Sequence, residues 1–75
     1  MLHYVLSKIT AKRLEKNFSQ RYMASRLNIS QSYYNKLENG KKELTFQTMY
    51  KILEILDIEI SELFSSTSRQ KHKSR

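Results

Sequence analysis

Across 75 residues the chain has no proline and one glycine, Gly40, so almost nothing in its backbone chemistry interrupts a helix. No stretch alternates β-branched and aromatic residues with the period of two that a half-buried strand needs, and no internal repeat is visible. An all-α domain is expected. A chain this short has room for a single hydrophobic core and lies near the lower limit at which such a core holds itself together. Cysteine is absent, which removes disulfides and thiolate metal sites, and the only histidines, His3 and His72, stand near opposite ends. No metal or other cofactor is expected, and both histidines read as solvated terminal residues. A domain of this kind is stabilised by packing alone or by burying more surface in an oligomer, so dimerisation is favoured from the start.

Capping residues set the helix boundaries. Ser19 precedes residues 20–27, where Met23, Ala24 and Leu27 recur at helical spacing. Asn28 tolerates a left-handed conformation and Ser30 is a second cap, so the next helix begins at Gln31. It ends near Asn39, with Gly40 in the left-handed position just beyond. Upstream, residues 6–17 form a helix with Ile9, Arg13 and either Val5 or Leu6 facing inward, closed by Asn17. Downstream, Thr45 caps residues 46–56, in which Phe46, Met49, Ile52, Leu53 and Leu56 make the strongest apolar stripe of the chain, that of a core helix. Ile58, Ile60, Leu63 and Phe64 support a short fifth helix after a turn at Asp57. Residues 65–75, SSTSRQKHKSR, have no apolar side chain and read as a basic disordered tail, leaving 1–64 as the folded domain.

The net charge of +7 points to a polyanionic partner, and its distribution says more. Residues 1–42 set Lys8, Lys12, Arg13, Lys16, Arg21, Arg26, Lys36, Lys41 and Lys42 against Glu15 and Glu38, a balance of +7. Residues 43–64 set Lys51 against Glu43, Glu54, Asp57, Glu59 and Glu62, a balance of −4, and the tail adds +4 from Arg69, Lys71, Lys73 and Arg75. Solvated helix faces explain any one of these charges but not a change of sign at one point. An anion-binding first half is expected, with an apolar, acidic half turned away from it.

Two short helices about three residues apart, with small Ala24 in the first and apolar Ile29 in the turn, match a helix-turn-helix unit. Ala24 faces the second helix, where a larger side chain would force the pair apart, while Ile29, Tyr34 and Leu37 plug the pair onto the core. Ser19-Gln20, Ala24, Leu27, Ile29-Ser30, Leu37-Glu38-Asn39-Gly40 and the later ILxxL and ELF spacing together resemble the lambda-repressor/Cro-type, or xenobiotic-response-element, helix-turn-helix family over residues 5–64. Asn28 replaces the family's turn glycine, Leu44 its proline after the recognition helix, and Lys12 a common leucine. The loop at 41–45 is accordingly expected to be looser than in the family. The resemblance implies that Arg13 and Glu38 form an internal ion pair, since an unpaired Glu38 on a DNA-facing helix would repel phosphate. It also implies that Gln20 bridges to the start of the recognition helix.

With Ser30 as cap, Gln31, Ser32, Asn35 and Lys36 are expected opposite the buried Tyr34 and Leu37, on the helix that enters the major groove. Gln31 can pair with adenine, Lys36 can donate to guanine, and Ser32 can serve either. Gln20, Ser30, Tyr33, Asn39, Lys41 and Lys42 are candidate phosphate contacts. Tyr34 reads as core. Catalysis finds little support, because the carboxylates gather in the acidic half with no second group placed to polarise a substrate. The tail lacks the apolar anchors of a membrane-binding segment, and no run approaches the about 20 apolar residues of a spanning helix, so the chain is expected in the cytoplasm, associated with the nucleoid when bound to DNA. The expected function is a sequence-specific transcriptional regulator, by default a repressor, binding double-stranded DNA as a homodimer on a palindromic operator. Ile55, Ile60 and Phe64 exceed what one small core buries and are expected at the dimer interface. No membrane or small-molecule partner is expected. The chain also resembles the small controller proteins of restriction–modification systems, and an antitoxin built on the same fold is the alternative of a different class.

Overall fold

The computed structural model describes residues 2–63, and Phe64 and the basic tail lie outside that range. Four helices follow one another, α1 (Leu2–Glu15), α2 (Gln20–Leu27), α3 (Gln31–Glu38) and α4 (Phe46–Leu56), and a fifth, α5, opens at residues 60–63. No strand occurs among the described residues.

Local chemistry accounts for these boundaries. Ser19, Ser30 and Thr45 each take an extended conformation and accept a hydrogen bond from the backbone N–H three residues on, at Tyr22, Tyr33 and Thr48, which satisfies a donor that the helix itself leaves free. Helices α1 to α4 end alike. Asn17 (φ 61°), Asn28 (φ 64°), Gly40 (φ 74°) and Asp57 (φ 58°) are left-handed. Beside each, the next residue's N–H reaches back to a carbonyl of the last turn: Phe18 to Arg13, Ile29 to Ala24, Lys41 to Lys36 and Ile58 to Leu53. Phe18, Ile29 and Ile58 then tuck against the core and pin the chain where it leaves the helix. Lys41 alone points into solvent.

Helix α1 starts four residues earlier than its sequence pattern suggests. No residue in the first turns breaks a helix, and Val5 and Leu6 are both buried, one turn ahead of Ile9 and two ahead of Arg13. The core joins Val5 and Ile9 of α1, Met23 and Ala24 of α2, Tyr34 of α3, and Ile52, Leu53 and Leu56 of α4, with Ile58 and Leu63 closing it from the α5 side. Helix α2 packs closely on α3, as the small side chain of Ala24 permits, and α4 lies against both α1 and α2. Phe46 departs from its expected place in the α4 stripe: it is 67% exposed, because the first turn of α4 projects beyond the core that Ile52 and Leu56 reach.

Candidate nucleic-acid interface

The tight pairing of α2 with α3 leaves one flank of α3 facing solvent. Tyr34, Leu37 and Glu38 are buried, so at 3.6 residues per turn Ser32, Lys36 and Asn39 project directly away from the core. Gln31 and Asn35, one turn apart, occupy the flank instead of the centre of the exposed face, although both are exposed. Among the described residues Gln31, Ser32 and Lys36 have no side-chain partner, which leaves their hydrogen-bonding groups available.

Behind this face lies a polar lock. Arg13 donates through Nε to Glu38 Oε2 (2.8 Å) and through Nη2 to Oε1 (3.1 Å), the planar fork that guanidinium offers a carboxylate. Its remaining Nη1 donates to the Phe18 carbonyl at 2.9 Å. Glu38 accepts two further bonds, from Tyr34 Oη at 2.7 Å and from Gln20 Nε2 at 3.1 Å. Burial alone would raise the Glu38 pKa, but the donors from Arg13, Tyr34 and Gln20 outweigh it and hold the carboxyl below its ordinary value. The hydrogen bond with Glu38 likewise raises Arg13 against the effect of burial. Burial first, and then the same carboxylate, raises the Tyr34 phenol, so it stays a donor. The Glu38 carboxyl is therefore ionised at neutral pH, and its negative charge is answered inside the fold. A carboxylate near the C-terminal end of α3 would otherwise meet both the negative end of the helix dipole and incoming phosphates.

The lock extends to the surface. Gln20 Oε1 accepts from Asn35 Nδ2 at 3.1 Å, and Asn35 Oδ1 accepts from Asn39 Nδ2 at 3.2 Å. A continuous run of hydrogen bonds therefore joins buried Arg13 to exposed Asn35 and Asn39. The Gln20 amide is engaged at both ends in this bridge, but with Glu38 and Asn35 in the second half of α3 and not with the start of the recognition helix, where the resemblance had placed its partner. The Ser30 hydroxyl oxygen is engaged as the cap of α3, leaving its own O–H to donate. Tyr33 is 40% exposed next to that cap. Lys41 and Lys42 stand exposed just past α3, and with Lys16, Arg21 and Lys36 they have no ion-pair partner among the described residues.

Two features escaped the sequence reading. The Tyr34 hydroxyl binds Glu38, although the four-residue spacing of the two on one helix was visible. On α2, Tyr22 packs against Phe18 with ring centroids 4.5 Å apart, and Arg26 donates to the Tyr22 hydroxyl at 2.8 Å. Of the dimer candidates, Ile55 is half-buried and Ile60 is 38% exposed, while Phe64 lies outside the described residues. No group of three His, Cys, Asp or Glu side chains is placed to hold a metal among the described residues, and no described helix is long and apolar enough to cross a membrane.

Two short helices locked through an inner ion pair, with an unpaired polar and cationic face on the second, define a helix-turn-helix DNA-binding domain. Residues 9–63 match the helix-turn-helix family, and the chain belongs to its Cro/C1-type branch of DNA-binding transcriptional regulators. It is similar to Control protein C.MunI of Mycoplasma sp, at 34% identity over 65 residues, 85% of this chain and 88% of that protein. No solved structure gives a significant match.

Proposed function

We propose that the protein is a sequence-specific repressor of the controller type, acting as a homodimer on a roughly palindromic operator next to the genes it regulates. The observation that carries this reading is the α3 face, where Gln31, Ser32 and Lys36 are unpartnered while every polar group behind them is satisfied. Such a helix can enter the major groove without carrying an uncompensated buried charge with it. Gln31 and Lys36 read base edges, Ser32 assists, and Asn35 contributes from a position held by Gln20. Lys41 and Lys42 bind phosphates beyond the helix end, with Tyr33, Ser30, Asn39 and Gln20 around them. Ile55, Ile60 and Phe64 join two subunits, and reading two half-sites then requires the two α3 helices to lie about one turn of DNA apart. The similarity to a control protein supports the regulatory role and, with it, the control of restriction–modification genes.

Selection of bound duplexes from a random pool tests this reading. The expected result is a motif of two inverted half-sites with centres about 10 base pairs apart. Recovery of sequences with no shared motif, at the affinity of the starting pool, would refute sequence-specific regulation. Ile60→Lys places a charge in the dimer patch and is expected to leave a monomer by sedimentation. A variant that still dimerises at the concentration where the parent does would rule out that interface.

A further inference from the structure

The surface formed by α4 and the start of α5 carries a feature that DNA reading does not use. A groove of about 420 Å³ runs between α4 and the start of α5. Its apolar part is lined by Tyr50 and Ile60, which are 51% and 38% exposed, and its rim carries Glu54, Asp57 and Glu59. Tyr50 and Glu54 lie one turn apart on a single face of α4 and Asp57 follows as its C-cap, whereas Ile55 projects elsewhere, so the groove shares only its Ile60 edge with the proposed dimer patch. None of the three carboxylates is paired with a cation among the described residues.

An apolar surface with an exposed tyrosine and an acidic rim suits a cationic segment. Lysine and arginine lay their methylene stems on apolar atoms, arginine stacks on a tyrosine ring, and a low-dielectric wall strengthens the pairing of their charges with carboxylates. The chain itself supplies such a segment. Residues 65–75 hold Arg69, Lys71, Lys73 and Arg75 and no acidic residue, and they begin two positions beyond Leu63. The first cation lies six residues beyond Leu63, and at about 3.3 Å per extended residue that spacing spans roughly 20 Å, ample to return to the groove.

We propose that the groove between α4 and α5 is the docking site of the protein's own basic segment 65–75, held in cis and given up to DNA phosphates on binding. Docked, the four cations neutralise the acidic half and are withheld from DNA. On a duplex they move to phosphates, so the groove sets how much of the protein's electrostatic attraction is spent on any DNA at all. This consequence for DNA rests on the DNA-binding reading, whereas the docking itself does not.

The test compares four full-length proteins: the parent, a groove variant (Glu54→Gln, Asp57→Asn, Glu59→Gln), a tail variant (Arg69→Gln, Lys71→Gln, Lys73→Gln, Arg75→Gln), and the two combined. Asparagine keeps the left-handed backbone at position 57 accessible. Without DNA and at low salt, amide resonances of Tyr50, Glu54 and Asp57 are expected to differ between parent and tail variant, to converge as salt screens the pairing, and to be independent of protein concentration. Resonances that do not differ overturn the proposal, and a difference that grows with concentration overturns docking in cis by placing the segment on a second copy. With scrambled duplex, the groove variant is expected to bind with a salt slope steeper by about 0.9 for each cation released, and the same groove substitutions are expected to change the slope far less when the tail is neutral. Equal steepening in both backgrounds means that net charge alone acts, and overturns the release to DNA. If none of the four binds DNA, the DNA reading fails while the resonances still decide the docking.

Discussion

The two sides of this domain are held to the same α1–α2 frame by different forces. On the α4 side Ile52, Leu53 and Leu56 sink into the core, and the contact is apolar throughout. On the α3 side, besides Tyr34 and Leu37, the attachment runs through Arg13, Gln20, Tyr34 and Glu38, with donor and acceptor atoms at defined distances. Apolar packing gains its free energy from area removed from water and tolerates small rotations. A forked guanidinium–carboxylate pair with two added donors tolerates very little. The side proposed to present side chains to base edges is therefore the side held by directional bonds. The chain ends of the helices repeat the distinction: three of the four exits are pinned by an apolar residue, and the exit of α3 carries the exposed Lys41.

The largest expected effect separates the two attachments directly. Arg13→Met leaves Glu38 buried at 4% side-chain exposure without its cation and is expected to cost about 3–5 kcal/mol in urea unfolding. Adding Glu38→Leu is expected to restore part of that loss. Additive losses in the cycle would show that the pair does not interact, and would dissolve the comparison. On the other side Leu56→Ala is expected to cost about 2–5 kcal/mol, and the near-isosteric Leu56→Met less than about 1.5 kcal/mol. Arg13→Lys, equally conservative in charge, cannot reproduce the fork and is expected to fare worse than Leu56→Met. The reverse order would place the directional constraint on the wrong side.

At the surface the effects are smaller and concern DNA. Gln31→Ala is expected to cost about 1–3 kcal/mol on the selected site and to relax preference at one or two base positions, with non-specific binding hardly changed. Lys42→Ala is expected to weaken all sequences alike and to lower the magnitude of the salt slope by about 0.9. Competition binding at two salt concentrations reads both. Specificity lost with Lys42 and kept without Gln31 would mean that α3 presents another face. Smallest of all, Asn28→Gly is expected to stabilise the fold by less than about 1 kcal/mol, since φ 64° suits glycine better than asparagine. A loss of stability on thermal unfolding would show that the Asn28 side chain contributes something its conformation does not reveal.

The sequence made α2 and α4 legible to the residue and α3 to within one at its end, because Ser19, Ser30 and Thr45 are cap residues with a local mechanism and Gly40 marks a left-handed exit. The start of α1 was hidden, since no capping residue announces it and the helix continues through Leu2 to Val5 without a break. Phe46 illustrates a further limit: periodicity places it on the core face of α4, but how far along the helix the core extends depends on the neighbours that α1 and α2 supply. The Arg13–Glu38 pair came from family resemblance, not from spacing, because a contact 25 residues apart leaves no periodic trace. Tyr34 was legible as a core residue, yet its hydroxyl bond to Glu38 turns it into part of the lock. Gln31 was placed on the central exposed face when the burial of Tyr34, Leu37 and Glu38 sets it on the flank.

The most direct test of the polar lock as the device that aims α3 is the specificity ratio of Arg13→Met/Glu38→Leu, measured as affinity for the selected duplex over a scrambled one. The substitutions remove one charge of each sign, so the net charge of +7 and the attraction to phosphate are unchanged. With the lock replaced by apolar packing, the protein is expected to remain folded and to bind scrambled DNA within about twofold of the parent, while its specificity ratio falls by about tenfold or more, the equivalent of one base contact misplaced. A folded double variant that keeps the full ratio would contradict the claim that directional bonds set the reading helix.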